Sequence, residues 1–301
     1  MTHPLRVLTA EPWAIRPDYL HFMVALATLD RNGRADRRAA EGEDWFRRDM
    51  VALSAGSGAR PMDGARYAMT TDAGVAILPI LGPIFPRANM ITEMSGGVSA
   101  ALLSNDYRLA QEDSDIGAIL FVIDSPGGAI TGINALTDQF FVGRDAKPSL
   151  AHVTGNCASA AYWLACSAGE IATDKTGMLG SIGVVAAVQK QVQPDADGEI
   201  TVEIVSSNAP KKRPDPQETE GIDEIRSVID VVEAQFLEDV ARGRGISVND
   251  VKVRFGAGGT KMGRDAVSAG MADRVQSFRD SFEDLALRVS IQRRERVLRR
   301  R

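Results

Sequence analysis

The sequence has few of the residues from which disulfide frameworks and most metal sites are built. It contains two cysteines, Cys157 and Cys166, and three histidines among its 301 residues. Two cysteines cannot form a disulfide framework, and neither a C-x-x-C nor an H-E-x-x-H motif occurs. We therefore expect no metal site, and any chemistry has to come from other side chains.

Long apolar runs and a strong net charge are also missing. The longest nearly apolar run, residues 75–85, contains two prolines, and it is much shorter than the roughly 20 residues that a membrane-spanning helix needs. The first 17 residues lack the charged start and apolar core of a secretory signal. With 35 basic and 40 acidic residues the net charge is −5, which creates no surface-wide attraction to nucleic acid or anionic lipid. We expect a cytoplasmic protein with neither a membrane segment nor a general nucleic-acid surface.

One local exception to the balanced charge is the C-terminal stretch RRERVLRRR, which contains six arginines. Such a run is either a solvated tail or a contact for nucleic acid or a partner protein. We assign residues 281–301 to a basic C-terminal tail.

The first 72 residues differ from the rest of the chain in their pattern of apolar, charged and small residues. Apolar residues at helical spacing follow Pro17, which predicts a helix, namely Tyr19, Phe22, Met23, Leu26 and Leu29. A charged stretch, 30–48, then leads into a segment rich in glycine, alanine and serine, 54–66. We expect residues 1–72 to form a helical, charged arm with a flexible connection.

From Gly74 onward, short apolar runs alternate with helical patterns. The runs predict strands at 75–82, 118–124, 149–155, 170–173, 181–188 and 200–207. Helices are predicted at 99–113, 130–141 and 217–242, the last with one apolar stripe. Several strand candidates are apolar throughout, as expected when both faces are covered. This alternation predicts an α/β core with crossover connections over residues 73–280.

A glycine-rich turn follows the strand candidate at 118–124. The sequence Asp-Ser-Pro-Gly-Gly, 124–128, precedes a helical pattern, so the unobstructed N–H groups of Gly127 and Gly128 could hold an oxyanion. A tight strand-to-helix turn also favours proline and glycine for conformational reasons alone. Both interpretations remain open at this point.

A serine surrounded by small residues follows the next strand candidate. Ser159 lies in Gly-Asn-Cys-Ala-Ser-Ala-Ala-Tyr-Trp, 155–163, where a substrate backbone could approach its hydroxyl. A closely packed helix start would have the same composition. The G-x-S-x-G motif of α/β-hydrolases is absent.

A nucleophilic serine needs a base within hydrogen-bonding distance. His152 is one candidate, although a lone histidine in an apolar strand is often only a packed residue. Lys211 and Lys212 are the others, in a segment stiffened by Pro210 and Pro214, although a lysine pair is also common on ordinary surfaces.

Four motifs in this order resemble the signal peptide peptidase A family of serine peptidases. They are DSPGG (124–128), GNCASAAYW (155–163), LGSIGV (179–184) and SSNAPKK (206–212). The resemblance covers about residues 74 to 275. It implies a Clp/crotonase-type α/β core built from repeated ββα units, with no cofactor.

The resemblance also implies a role for each matching residue. Ser159 corresponds to the nucleophile, Lys211 to its base and Ser181 to a serine that orients the lysine. The amides near Gly127 and Gly128 would stabilise the oxyanion. Two positions depart from the family pattern, because Ala160-Ala161 replaces Gly-Gly and Asn208 replaces glycine. The second departure leaves Lys212 as the alternative base.

A lysine acts as a base only when its pKa falls far below the usual value of about 10.4, so we predict a desolvated Lys211. Within the family, the front of the chain looks most like phage head-maturation proteases. This implies scaffold or capsid proteins as substrates and a homo-oligomeric ring, in which the dyad can be completed across a subunit boundary; whether Lys211 acts in its own subunit or in a neighbour's stays open. The alternatives are a bacterial cytosolic relative, a structural head protein without activity, and an acyl-CoA enzyme on the same fold.

Overall fold

The computed structural model describes residues 12–21, 23, 57–88, 92, 95–188, 190, 193–194, 198, 200 and 202–299. Of the predicted arm, residues 17–21 and 23 are helical. Phe22, Leu26, Leu29 and the charged stretch 30–48 lie outside the described residues. Within the described ranges, no helix is both long enough and apolar enough to cross a membrane.

Thirteen strands occur in the described part of the chain. They are β1 Trp13–Ile15, β2 Arg60–Pro61, β3 Met69–Thr70, β4 Val75–Leu81, β5 Ile84–Phe85, β6 Val98–Ser99, β7 Ala118–Ser125, β8 Gly127–Ala129, β9 Ser149–Ala158, β10 Glu170–Thr173, β11 Met178–Gly180, β12 Thr260–Met262 and β13 Arg274–Val275.

The helices from residue 95 onward surround these strands. They are α1 Ala100–Glu112, α2 Ile133–Gly143, α3 Ala160–Ala165, α4 Thr219–Arg244, α5 Val248–Arg254, α6 Gly263–Ala269 and α7 Phe278–Arg299. Ser99 caps α1 by accepting a hydrogen bond from the Leu102 amide. Gly245 ends α4 in the left-handed conformation that glycine adopts without strain.

The larger sheet has the order β12-β11-β9-β7-β4-β3-β2, with β10 also paired to β9 and β13 paired to β10. Strands β4, β7, β9, β10 and β11 are mutually parallel where they pair. The carboxyl ends of β4, β7 and β9 therefore meet at one edge of the sheet, where open α/β sheets usually bind ligands. The predicted α/β architecture with a parallel sheet is confirmed.

Two successive ββα units form the centre of the fold. In each unit a long strand of the larger sheet, β4 or β7, is followed by a short strand, β5 or β8, and then by a helix. The short strands pair with each other in a second sheet of order β1-β8-β5-β6. This second sheet lies just beyond the carboxyl ends of the long strands, so the turn at Gly127 joins the two sheets.

The core covers both faces of the larger sheet. On one face Ile119, Phe121 and Ile123 pack in the cluster that contains residues of α1, α2 and α3. On the other face Leu120 and Val122 pack with Leu285 and Val289 of α7. Burial on both faces explains why these strand sequences are apolar throughout.

The helix α7 continues into the segment that the sequence assigns to a basic tail. The predicted boundary at residue 281 falls inside α7, and Ser281, Leu285 and Val289 are buried against the sheet. Two ion pairs also hold this region, because Arg288 and Arg274 both contact Glu170, at 2.6 and 2.5 Å. The first half of the predicted tail is therefore packed on the core. The division into an arm, a core and a tail remains a prediction.

Two predicted strands are wrong over the described residues. Residues 181–188 contain only an isolated bridge, in which Val185 pairs with Trp13. Residues 202–207 are not strand, and there Val202 and Ile204 are 75% and 92% exposed. An apolar segment forms a strand only where a neighbouring strand supplies hydrogen-bonding partners. In the described part of the chain, no strand pairs with residues 202–207.

Candidate active site

Ser159 lies at the sharp turn between β9 and α3. Its backbone has φ 55° and ψ −120°, a conformation that is rare for a residue other than glycine. The turn is fixed on both sides, because the Ser159 amide donates to the Gly180 carbonyl at 2.7 Å and the Ser159 carbonyl accepts from the Trp163 amide at 2.9 Å. A strained backbone held in this way is common at functional sites, where it aims a side chain.

The glycine turn lies directly beside this serine. Gly127 has φ 103°, and a methyl group added to it would be 3.0 Å from Ser159 Cβ and 2.9 Å from the Ala158 carbonyl oxygen. The Gly127 amide donates to Ser125 Oγ at 3.2 Å. The structure thus brings Gly127 and Ser159 together, as predicted from the motifs, and only glycine fits this close approach.

Ser181 is close to Ser159 through the pairing of β9 with β11. Gly180 pairs with Ala158, so each serine is the first residue after its strand. Ser181 also has a positive φ, 53°, and its amide donates to the Gly259 carbonyl at 2.8 Å. Ser159 Oγ lies 3.4 Å from the Gly183 carbonyl, at the limit of a hydrogen bond.

A cleft of about 420 Å³ adjoins this segment. It lies between Gly183 and its neighbours on one side and helices α4 and α5 on the other, where Glu233 and Lys252 add opposite charges. The cleft is large enough for one or two side chains. It gives the Ser159 turn an adjacent pocket, which a peptide-binding site requires.

Lys211 is not near Ser159 in the contacts of this single chain. It lies in a short 3-10 turn, its side chain is 78% exposed, and Nζ forms an ion pair with Glu224 at 2.7 Å. The Glu224 carboxylate raises the pKa of Lys211 above its ordinary value, so the amine is held in its charged form. The burial predicted for Lys211 is therefore absent from the isolated chain, and Lys212 is exposed as well.

His152, the other candidate base, belongs to a different site. It is fully buried on the face of β9 that packs against α7, where Nδ1 lies 2.9 Å from Ser281 Oγ. Burial lowers the pKa of His152 to about 4, with a smaller contribution from Arg274. A neutral imidazole on this face stabilises packing and does not contact Ser159 in the structure.

A polar network beside the site was not predicted from the sequence. The Asp124 carboxylate accepts from the Asn156 amide at 2.7 Å, and Asn156 Oδ1 accepts from Arg16 Nη1 at 2.6 Å. Asp124 is visible in the DSPGG motif, but no sequence signal connects it to a residue 108 positions earlier. The network ties the ends of β7 and β9 to the start of the chain.

Ser159 is only 1% exposed, and the strand β1 lies over the glycine turn beside it. Ala14 pairs with Gly128 and Ile15 pairs with Gly127, both antiparallel. A methyl group on Gly127 would clash with the Ala14 carbonyl oxygen before it reached Ser159. The first described strand of the chain therefore covers the glycine turn beside the candidate nucleophile.

Comparison with protein families matches residues 143–292 to the sequence model of peptidase family S49. The match begins before Ser159 and includes Ser181 and Lys211.

Curated relatives include phage and cellular proteins. Capsid assembly protease C of Escherichia phage lambda is 28% identical over 90% of this chain. The head-tail preconnector protein of Enterobacteria phage P21 is 28% identical over 71%, and Protease 4 of Haemophilus influenzae is 25% identical over 69%. The aligned parts span only 62%, 43% and 33% of these relatives.

Among solved structures, a membrane-bound stomatin-specific protease in complex with a substrate peptide matches with a TM-score of 0.41. It is 14% identical, and the match covers 66% of this chain and 74% of that one.

Proposed function

Since this chain belongs to peptidase family S49, we propose that it is a serine endopeptidase that hydrolyses peptide bonds through an acyl-enzyme on Ser159. The observation that carries the proposal is the strained turn at Ser159 between β9 and α3, fixed by hydrogen bonds and placed against Gly127. The match to the family includes Ser159, and the geometry of its turn supports its choice as the nucleophile.

The reaction proceeds in two steps. Ser159 Oγ attacks the carbonyl carbon of the substrate while a base takes the hydroxyl proton, and the negative oxygen is stabilised by backbone N–H groups at the glycine turn. The C–N bond then breaks as the amine leaves with the proton. A water molecule attacks the resulting ester, which releases the acid and restores the serine.

The base in this proposal is Lys211, with Lys212 as the alternative. In the isolated chain Lys211 is exposed and paired with Glu224, so it has to reach Ser159 in an assembled form. The exposed apolar side chains of Val202 and Ile204 support such an assembly, because they precede Lys211 on a segment that the described chain leaves uncovered. We propose that a second copy covers this segment, desolvates the amine and brings it to Ser159 of the neighbouring subunit, where Ser181 orients it.

Protein substrates of phage head assembly are proposed from the relatives. The name of the lambda relative states that it is a capsid assembly protease, and its similarity extends over most of this chain. The substrate of this chain is therefore proposed to be a scaffold or capsid protein.

The function is tested by covalent labelling of the purified protein with a fluorophosphonate probe. We expect the probe to attach to Ser159, as located by mass spectrometry of the digested protein. The variant Ser159→Ala should lose the label completely, because only an activated hydroxyl displaces the leaving group. The matched control Ser167→Ala, a buried serine just after α3, should be labelled like the wild type. A folded chain in which Ala14→Pro has opened β1 and which still stays unlabelled at Ser159 would refute the peptidase proposal.

A further inference from the structure

The strand β1 lies where an extended substrate would have to lie, and we propose that it is a built-in occupant of the substrate groove. Residues 13–15 then act as an internal inhibitor that must leave before Ser159 can act on another chain. This inference rests on the proposed function for the identity of the groove, although its test uses binding and not catalysis.

The backbone of β1 is bound on both of its edges. On one edge it pairs with Gly127–Ala129 of β8, and on the other edge Trp13 and Val185 exchange two hydrogen bonds of 2.8 Å. A peptide held between two chain segments in this way gains affinity from its main chain, whatever its sequence. The groove therefore has the hydrogen-bonding edges of a peptide-binding site.

The amides at the glycine turn are engaged while β1 is present. The Arg16 amide donates to the Pro126 carbonyl at 2.9 Å, and hydrogen-bonded pairs alternate along an antiparallel ladder. The Ala14–Gly128 pair is consequently hydrogen-bonded, with the Gly128 N–H donating to the Ala14 carbonyl. The amide expected to stabilise an oxyanion already holds a peptide carbonyl.

The side chains of β1 fill pockets beside the groove. Trp13 is fully buried with its ring edge-on to Phe85 at 5.9 Å, and Ile15 is 3% exposed in the same cluster. Ala14 is fully buried between them. The groove thus accepts an extended segment with a large apolar residue on each side of a small one, and a substrate of this kind would compete with β1.

The end of β1 is held by one side chain. Arg16 binds Asn156 at 2.6 Å and Asp18 at 2.8 Å, and Asn156 is itself held by Asp124 at the end of β7. Among the described residues, β1 is thus attached by backbone pairing, by the packing of Trp13 and Ile15 in a cluster that also contains Leu20 and Met23, and by the contacts of Arg16. A segment of three residues held in this way can be displaced by a competitor of similar sequence.

The test uses the full chain in the Ser159→Ala background, so that no cleavage interferes. A fluorescent peptide with the sequence of residues 12–17 is added, and binding is followed by anisotropy. We expect weak binding to Ser159→Ala alone. Adding Ala14→Pro, which removes the N–H that pairs with Gly128 and fixes φ, should increase the affinity for the peptide about tenfold.

Two controls make the result specific. Ala14→Gly keeps the N–H and should bind the peptide like the Ser159→Ala parent, and a peptide carrying the Ala14→Pro change should not bind the opened protein. If Ala14→Pro prevents folding, Trp13→Ala replaces it, because this variant empties one pocket and leaves the backbone pairing groups intact.

The inference would be overturned if the Ser159→Ala parent and a folded Ala14→Pro or Trp13→Ala variant bound the peptide with equal affinity. In that case β1 would be a permanent part of the site that a peptide does not replace. The outcome is independent of the proposed function. Restoring Ser159 in the Ala14→Pro chain and adding the fluorophosphonate probe tests catalysis separately: tight peptide binding without labelling would refute the peptidase while leaving the occupied groove in place.

Discussion

The candidate residues Ser159 and His152 differ in the hydrogen-bonding partners of their polar groups. His152 lies within β9 and Ser159 directly follows its last residue; both are buried and they are seven residues apart, yet they have different surroundings. Ser159 is aimed by a strained backbone toward the glycine turn, whereas His152 lies against α7 with Nδ1 at Ser281. The sequence predicts both as candidates for chemistry, and their surroundings decide between them.

The buried imidazole of His152 predicts a pH-dependent stability. Its pKa is about 4 in the folded chain against an ordinary value of 6.5, so the unfolded chain binds more protons between these values. The free energy of unfolding should fall by about 3 kcal/mol as the pH drops from 6.5 to 4, and it should be constant with respect to this group above pH 6.5. Urea unfolding at several pH values measures the slope.

In the variant His152→Gln, the part of the pH dependence of the free energy of unfolding that His152 causes should disappear. Asp174, 3.5 Å from His152 Nε2, as well as Arg274 and Ser281, remain in place, so their contributions cancel in the comparison. The exposed His21, changed to glutamine, is the matched control and should leave the slope as it is. An unchanged slope in His152→Gln would show that other groups cause it.

At the scale of the elements, the sequence predicted the parts of the fold that are buried on both faces. The strands β4, β7, β9 and β10 were found where continuous apolar runs indicated them, and α1, α2 and α4 where the helical period did. The predictions at 181–188 and 200–207 failed for a common reason. Apolar composition indicates that a segment tends to be buried, but it does not indicate whether a neighbouring strand or a second molecule buries it.

The candidate site was also predictable only in part from the sequence. The motifs single out Ser159, Ser181, Gly127 and Gly128, and their closeness follows from parallel strands whose carboxyl ends share an edge. The contact of Arg16 with Asn156 and the covering strand β1 could not be predicted. Both depend on pairing between segments more than 100 residues apart, for which a single sequence carries no signal.

The junction of α3 and α4 offers a second test of stability. Asp239 is 5% exposed and accepts hydrogen bonds from Trp163 Nε1 at 2.9 Å and Asn134 Nδ2 at 3.0 Å, while Trp163 stacks on Phe236. Asp239→Ala leaves the buried Trp163 indole N–H without an acceptor and also removes the contact with the exposed Asn134, so the free energy of unfolding should fall by about 2 kcal/mol. Chemical denaturation monitored by tryptophan fluorescence measures this loss.

The matched control for this junction is Asp138→Ala. Asp138 is an exposed partner of Arg242 at 2.6 Å, and exposed pairs of this kind contribute about 0–1 kcal/mol. Equal losses for the two variants would mean that the Trp163 hydrogen bond does not stabilise the junction.

At the scale of the whole molecule, the candidate nucleophile Ser159 and the glycine turn are adjacent in the single chain, whereas the proposed base Lys211 lies elsewhere. Ser159 directly follows β9, whereas Lys211 lies on an exposed segment and forms an ion pair with Glu224. The proposed mechanism therefore depends on the proposed assembly with a second copy.

A shared site makes a prediction that a site within one chain does not. Ser159→Ala and Lys211→Ala should each abolish cleavage of a capsid or scaffold substrate, yet unfolding and refolding a mixture of the two should restore about a quarter of the wild-type activity. In random assemblies a quarter of the sites combine an intact serine with an intact lysine from different chains. Mixtures that stay inactive, although the two variants assemble together, would place the dyad within one chain, whereas a Lys211→Ala protein that is active on its own would assign the base to Lys212.

The position of β1 also affects how the protein behaves towards other copies of itself. The strand β8 pairs with β5 on one side and β1 on the other, so β1 is what closes the exposed edge of the smaller sheet. An open strand edge pairs with any extended chain that it meets and thereby promotes aggregation. Keeping a segment of its own chain on that edge protects the molecule during folding and storage, and the edge becomes available only when another extended chain replaces it.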